Sequence, residues 1–199
     1  IVRIHLNSWR STYSNVFPKE VFDKQESEYN TRVENIKNAI ENPNINYIGI
    51  EMYDSVILRA VEKSNELELN NLYLIRMDAR LINDIFDREI DLIYLNFSDP
   101  WPKDRHAKRR LTSPIFLARY DGIFKDDKRI IMKTDNRGLF DYSVESLKEY
   151  GYIIKDISYD LHRDKDNIIT TEYEDKFTNM GIKINYVEAY KDGEKDESV

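Results

Sequence analysis

Asp99 is the residue of this chain best placed to do chemistry. It follows the apolar run Tyr94–Phe97 and sits in an aromatic, proline-containing turn, Ser98–Pro102, that leads at once into a basic block. Between Lys103 and Arg110 there are five Lys/Arg against one Asp, the steepest charge reversal in the sequence. A strand that delivers a carboxylate to its C-terminal tip, beside a ring able to stack and an arm of cations, suits action on an anionic polymer, with nucleic acid as the first candidate. Pro100 and Pro102 stiffen the turn and so fix where Asp99 points. Trp101 and Phe97 could each stack on a base, worth about 1–3 kcal/mol; for Phe97 ordinary core packing is the better reading. Lys103, Arg105, His106, Lys108, Arg109 and Arg110 read as contacts to backbone phosphates, against the alternative of a solvated charged face.

These residues need a scaffold, and the hydrophobic periods supply one. Asn46–Glu51, Leu72–Arg76, Asp91–Phe97, Lys128–Thr134, Tyr152–Ser158 and Lys183–Tyr190 are short, β-branched and aromatic, and read as strands. Helical spacing marks Asn30–Ile40, Asp54–Leu67, Leu81–Phe86, Pro114–Phe124 and Leu139–Tyr150, with Asp54 or Ser55 as N-cap of the second. Such β-α alternation implies an α/β fold, a mostly parallel sheet with helices on both faces. The last two strands are separated by only Thr171–Thr178, and the final one alternates more strongly, which suggests an antiparallel C-terminal edge strand. One domain spans 1–199, with an irregular N-terminal segment over 1–29 and a frayed, charged tail over 191–199.

In open α/β sheets, ligands collect beyond the carboxyl ends of the strands. Four such ends are polar: Glu51, Asp78, Asn96–Asp99 and Lys133–Asn136. Any one of them could be polar only because it meets water; together they would line one cleft. An acid where Glu51 stands can accept both ribose hydroxyls of an adenosine-containing cofactor. Asp78 suits an adenine amino group, or equally a helix N-cap. Lys133 and Asp135 could pair as a structural bridge, and Thr171 with Glu174 could form a capping box.

Composition bounds the choice. At 199 residues and 41% hydrophobic the chain can bury one core. With no aliphatic run longer than seven residues, no membrane span or secretory segment is expected. Zero cysteines exclude disulfides, thiolate catalysis and thiolate-bound metals and suit a reducing cytoplasm, while His5, His106 and His162 lack metal-ligand spacing. A net charge of −7 means that any polynucleotide footprint must be local, in the Lys103–Arg110 arm.

LNFSDPWPKDRHAKRRLT (Leu95–Thr112), KTDNRGLFDYS (Lys133–Ser143) and TEYEDKF (Thr171–Phe177), in this order, resemble the bacterial tRNA (guanine-N7-)-methyltransferase family. The resemblance runs from about Glu41 to Lys191, with Arg3 and Trp9 as a weaker echo of the family's N-terminal Arg and Trp. It implies a Rossmann-like methyltransferase that uses S-adenosylmethionine to methylate N7 of a guanine in the variable loop of tRNA. Carried over by position, Glu51 matches the ribose-binding acid and Asp78 the adenine-side acid. Asp99 is both catalytic and cofactor-facing. Lys103, Asp135, Thr171, Glu172, Tyr173 and Glu174 match substrate-binding positions, and Arg105, His106, Ala107, Lys108, Arg109 and Arg110 the RNA-contacting stretch. No metal is implied. The oligomeric state is open between monomer and homodimer.

The family also has a glycine-rich turn after its first strand, whereas here the first 48 residues contain no glycine. Either the sequence as it stands omits that turn, with the break near Gln25–Tyr29, or the protein lacks it and is a catalytically silent tRNA-binding protein. A nicotinamide-dependent oxidoreductase is a further rival that Glu51 permits and SDPWPKDRHAKRR does not explain.

Overall fold

A computed structural model describes residues 35–166, 168–170 and 172–193. In chain order the elements are α1 (Asn35–Glu41), β1 (Tyr47–Glu51), α2 (Asp54–Glu66), β2 (Leu72–Arg76), a 3₁₀ turn (Ala79–Asp84), β3 (Ile93–Asn96), a second 3₁₀ turn (Asp104–Arg109), α3 (Pro114–Asp121), β4 (Lys128–Thr134), α4 (Arg137–Glu149), β5 (Ile153–Ser158), the short α5 (Leu161–Asp164), α6 (Glu172–Asn179) and β6 (Asn185–Lys191). All six expected strands form within one or two residues of their expected bounds.

Two sheets carry them. β1 and β2 pair in parallel, Tyr47 opposite Leu72 and Glu51 opposite Arg76. The other sheet runs β3-β4-β6-β5, with β3 and β4 parallel and β6 antiparallel to both of its neighbours. The C-terminal strand is therefore antiparallel, as expected, but it is inserted inside the sheet, and β5 takes the edge. Asn185 secures that insertion by donating its side-chain N–H to the Thr134 carbonyl, 3.0 Å away.

The core follows from the helix stripes. In α4 the buried positions Leu139, Phe140, Ser143, Ser146 and Leu147 recur at helical spacing, and α3 buries Phe116, Leu117 and Tyr120. These residues pack with Leu95, Ile130, Met132, Val187 and Ala189 from one sheet face, and Ile48, Ile50 and Ile75 join from the smaller sheet. Pro114 opens α3 at its first turn, where a missing N–H is harmless.

Some local expectations change. α2 starts at Asp54 with Tyr53 as N-cap and no side-chain cap bond, so neither Asp54 nor Ser55 caps it. Glu51 serves that turn, one carboxylate oxygen accepting from the Met52 and Tyr53 N–H groups at 2.8 and 2.9 Å. The expected helix at Leu81–Phe86 is a 3₁₀ turn that begins earlier, at Ala79, because Asp78 caps it by accepting from the Arg80 N–H at 2.9 Å. α1 occupies the C-terminal part of the expected Asn30–Ile40 helix. Arg3, Trp9 and the expected break at Gln25–Tyr29 lie outside the described residues.

Candidate functional site

β1 runs parallel to β2 and β3 parallel to β4, and the residues at the carboxyl ends of β1, β2 and β3 meet around one space. A cleft of about 810 Å³ lies there. Glu51 to Tyr53 line it from the end of β1, Met77 to Arg80 from the end of β2, and Asn96 to Asp99 with Trp101 from the end of β3. Its apolar lining includes Ile50, Leu95, Ile115 and Phe116, and Lys108, Arg109 and Arg119 add positive charge. Thus Glu51, Asp78 and Asp99, picked from three successive strand tips, meet around one space.

Asp78 takes the helix-cap role, accepting from the Arg80 N–H, and it also lines the cleft. Hydrogen bonds from the Arg80 guanidinium, with Nε at 2.8 Å, hold its carboxyl below the usual carboxylate range against the opposing effect of partial burial. It is therefore anionic at any working pH.

The turn that bears Asp99 has an unusual backbone. Phe97 and Trp101 have φ of +46° and +41°, a left-handed conformation that bulky residues seldom adopt. Each such residue costs on the order of 1–3 kcal/mol, so the surroundings must hold it. Phe97 is buried against Leu161 and Ile184, which makes it core, as its sequence position suggested. Trp101 lines the cleft and is contacted by the basic arm: the Arg109 guanidinium lies 4.8 Å above its ring, and the His106 ring meets it edge-on at 5.8 Å. The 3₁₀ turn Asp104–Arg109 thus wraps the cations back onto the acidic turn.

Lys103, Arg105, Lys108 and Arg109 are exposed. Arg110 departs from the expected set. It is buried, and its Nε and Nη2 donate to the carbonyls of Pro100 and Trp101 at 3.1 and 3.0 Å, so its guanidinium faces the protein and not a phosphate. Ala107 offers only a methyl group and serves as part of the turn.

The remaining candidates separate from the cleft. Lys133 pairs with Glu174 and not with Asp135: Nζ lies 2.9 Å from Oε2 and donates to the Ile169 carbonyl at 2.9 Å. The Glu174 side chain is 0% exposed, and His162 Nε2 stands 3.0 Å from its Oε1, a close contact though not an aligned hydrogen bond. The capping-box reading pairs Glu174 with Thr171, which lies outside the described residues. Lys103, Asp135 and Glu174 do not line the cleft. Thr171, and the side chains of Glu172 and Tyr173, lie outside the described residues.

Sequence reasoning missed Arg80, Arg119 and Tyr142. Arg80 had a legible signal, a cation two residues after an acid at a strand end. Arg119 had none, because helix packing brings it to the cleft, whereas Tyr142 lies within the Lys133–Ser143 motif and meets the Arg110 guanidinium outside the cleft lining.

Residues 34–187 match a family model described as "Putative methyltransferase". A tRNA (guanine-N(7)-)-methyltransferase of Lachnoclostridium phytofermentans is 54% identical over 159 residues, covering 78% of this chain and 74% of that protein. Proteins of the same name from Macrococcus caseolyticus and Bacillus velezensis are 53% and 51% identical, covering 76% and 73% of this chain and 73% and 68% of their own lengths. Among solved structures, a SAM dependent methyltransferase from Aquifex aeolicus superposes with a TM-score of 0.50 at 12% identity, over 87% of this chain and 98% of that one. Precorrin-6y C5,15-methyltransferase from Geobacter metallireducens gives 0.51 at 12% identity, over 75% and 70%. At such identities the structural likeness speaks for the Rossmann-like fold alone.

Proposed function

The chain belongs to the tRNA (guanine-N(7)-)-methyltransferase family, and from that membership we propose that its cleft transfers a methyl group from S-adenosylmethionine to N7 of a guanine in tRNA. The finer assignment is a guanine in the variable loop, methylated in the bacterial cytoplasm. The observation that carries the reading is the convergence of Glu51, Asp78 and Asp99 on one cleft, with the basic arm folded onto the same turn.

The residues fit the cofactor. A cleft of about 810 Å³ has the size of small-molecule sites. Acids at adjacent strand tips suit a ribose and an adenine amino group, and the apolar walls suit the purine ring. Glu51 would hold the ribose hydroxyls and Asp78 the adenine edge. When bound, the cofactor supplies an electrophilic methyl group on a sulfonium, which is a good leaving group.

The rest falls to the protein. Guanine N7 already presents a lone pair, so no strong base has to remove a proton before attack. Catalysis is then mainly alignment of two partners, where prepaid entropy can supply about 7–11 kcal/mol. The alkylated ring becomes cationic, and the Asp99 carboxylate stabilises that charge or holds the base through its N1–H and amino group. Trp101 offers a wall against which the base can stack. Lys103, Arg105, His106, Lys108 and Arg109 take the phosphates, and Asp135 with the Thr171–Glu174 segment is assigned to the substrate side by family position. The reading as a silent tRNA-binding protein finds no support in relatives named as methyltransferases at 51–54% identity.

Labelled methyl transfer to unmodified tRNA, compared with tRNA bearing 7-deazaguanine at the target, tests the proposal. Incorporation is expected only in the first. Equal label in the deaza substrate would refute N7 as the acceptor.

A further inference from the structure

One cation of the basic arm is turned inward. Arg110 is 9% exposed, and the two carbonyls it holds, Pro100 and Trp101, belong to the peptide groups on either side of Trp101. These directly follow Asp99. On its other side the guanidinium stacks on Tyr142 of α4, 4.3 Å from the ring centroid. Two residues further on, Thr112 is fastened to the same helix, its hydroxyl 2.7 Å from that of Ser143 and its carbonyl accepting from Ser146 at 2.7 Å. α4 therefore backs Arg110 rigidly.

Trp101 carries a left-handed φ of +41° and precedes a proline, a conformation its own chemistry disfavours. A planar fork that engages both flanking peptide groups can maintain it. Lysine could not, since an ammonium lacks the fixed fork and the flat face.

The geometry points to Arg110 as a positioning residue for methyl transfer: by clamping the Pro100 and Trp101 carbonyls against Tyr142, it fixes the turn that aims Asp99, and it makes no phosphate contact. This rests on the reading of the cleft as the methyl-transfer site. Its neighbour Arg109 lies on the face of the Trp101 ring, so one arm holds the turn by backbone and by side chain at once.

The test variant is Arg110→Lys, which keeps the charge and loses the fork. A displacement of about 1 Å in a reacting group lowers the rate by up to roughly a hundredfold, so kcat should fall by about tenfold to a hundredfold. KM for tRNA and the salt slope of tRNA binding should not change. In a Trp9→Phe background, the emission anisotropy of Trp101 in the free protein should fall as well. That measurement needs no activity: a wild type that methylates nothing would remove the functional reading while the anisotropy still judged the clamp. Unchanged kcat and anisotropy would overturn the inference, as would a salt slope shallower by about one with kcat intact, the mark of a phosphate contact. Should Arg110→Lys fail to fold by circular dichroism, Tyr142→Leu, which leaves both hydrogen-bond partners in place, must lower kcat and anisotropy in the same way or the clamp is wrong.

Discussion

Asp99 owes its standing to where it sits more than to what it is. Many carboxylates line this acidic protein, yet this one is carried by a turn bracketed by two left-handed aromatics, in a cleft shared with Glu51 and Asp78. If it stabilises charge as the guanine ring becomes cationic, replacing it removes an interaction that strengthens toward the transition state. Asp99→Ala should lower kcat by about a hundredfold to a thousandfold, the range seen when a preorganised electrostatic partner is lost. tRNA affinity in a filter-binding assay should stay near wild type, because the phosphate-facing cations remain. Turnover equal to wild type would remove the role. The acid and its turn were legible in the sequence, since DPWP announces a stiff polar turn after an apolar strand. The handedness of Phe97 and Trp101 was not, because aromatic side chains carry no signature of backbone φ.

At the scale of elements, a buried ion pair joins β4 to α6. Lys133 is 11% exposed and Glu174 0%, so neither charge has water to fall back on. Removing one partner of a buried pair costs about 3–5 kcal/mol. For a chain of this length each kcal/mol moves the melting temperature by about 2–4 °C, so Lys133→Ala should lower it by roughly 6–20 °C in a calorimetric scan. The double variant Lys133→Met with Glu174→Leu should recover part of that loss, because no unpaired charge is left buried. A Lys133→Ala scan that matches wild type would show that the pair contributes nothing to stability. The strands themselves could be read from β-branched runs flanked by polar tips, and most bounds held. The position of β6 could not: a strand with one buried face alternates alike inside a sheet or at its edge, and only the long-range pairing with both β4 and β5 decides. The Lys133–Glu174 partnership was hidden for the same reason, since 41 residues separate the two and Asp135 was the nearer acid.

Over the whole molecule, a net charge of −7 repels a polyanion, and association with tRNA must overcome that field through one local patch. The fold makes the patch effective by folding Lys103–Arg109 into a tight 3₁₀ turn beside the cleft, so that encounter and chemistry share one surface. The arm was legible as a charge reversal, but its five cations looked equivalent, and only the direction of the Pro100 and Trp101 carbonyls singles out Arg110 as internal. Arg109 behaves differently. Its exposed guanidinium lies over the Trp101 ring, 4.8 Å from the centroid, and with five N–H donors it can meet the ring and still grip a phosphate. Each phosphate neutralised contributes about 0.7–0.9 to the slope of log K against log salt. Arg109→Ala should therefore weaken tRNA binding at every salt concentration and make the slope shallower by about one, measured by titration from low to physiological ionic strength. Its loss should act through association, because long-range attraction raises the encounter rate and the protein's overall charge opposes it. An unaltered slope would mean that the arm serves only to hold the turn, and that tRNA is recruited by another face of the protein.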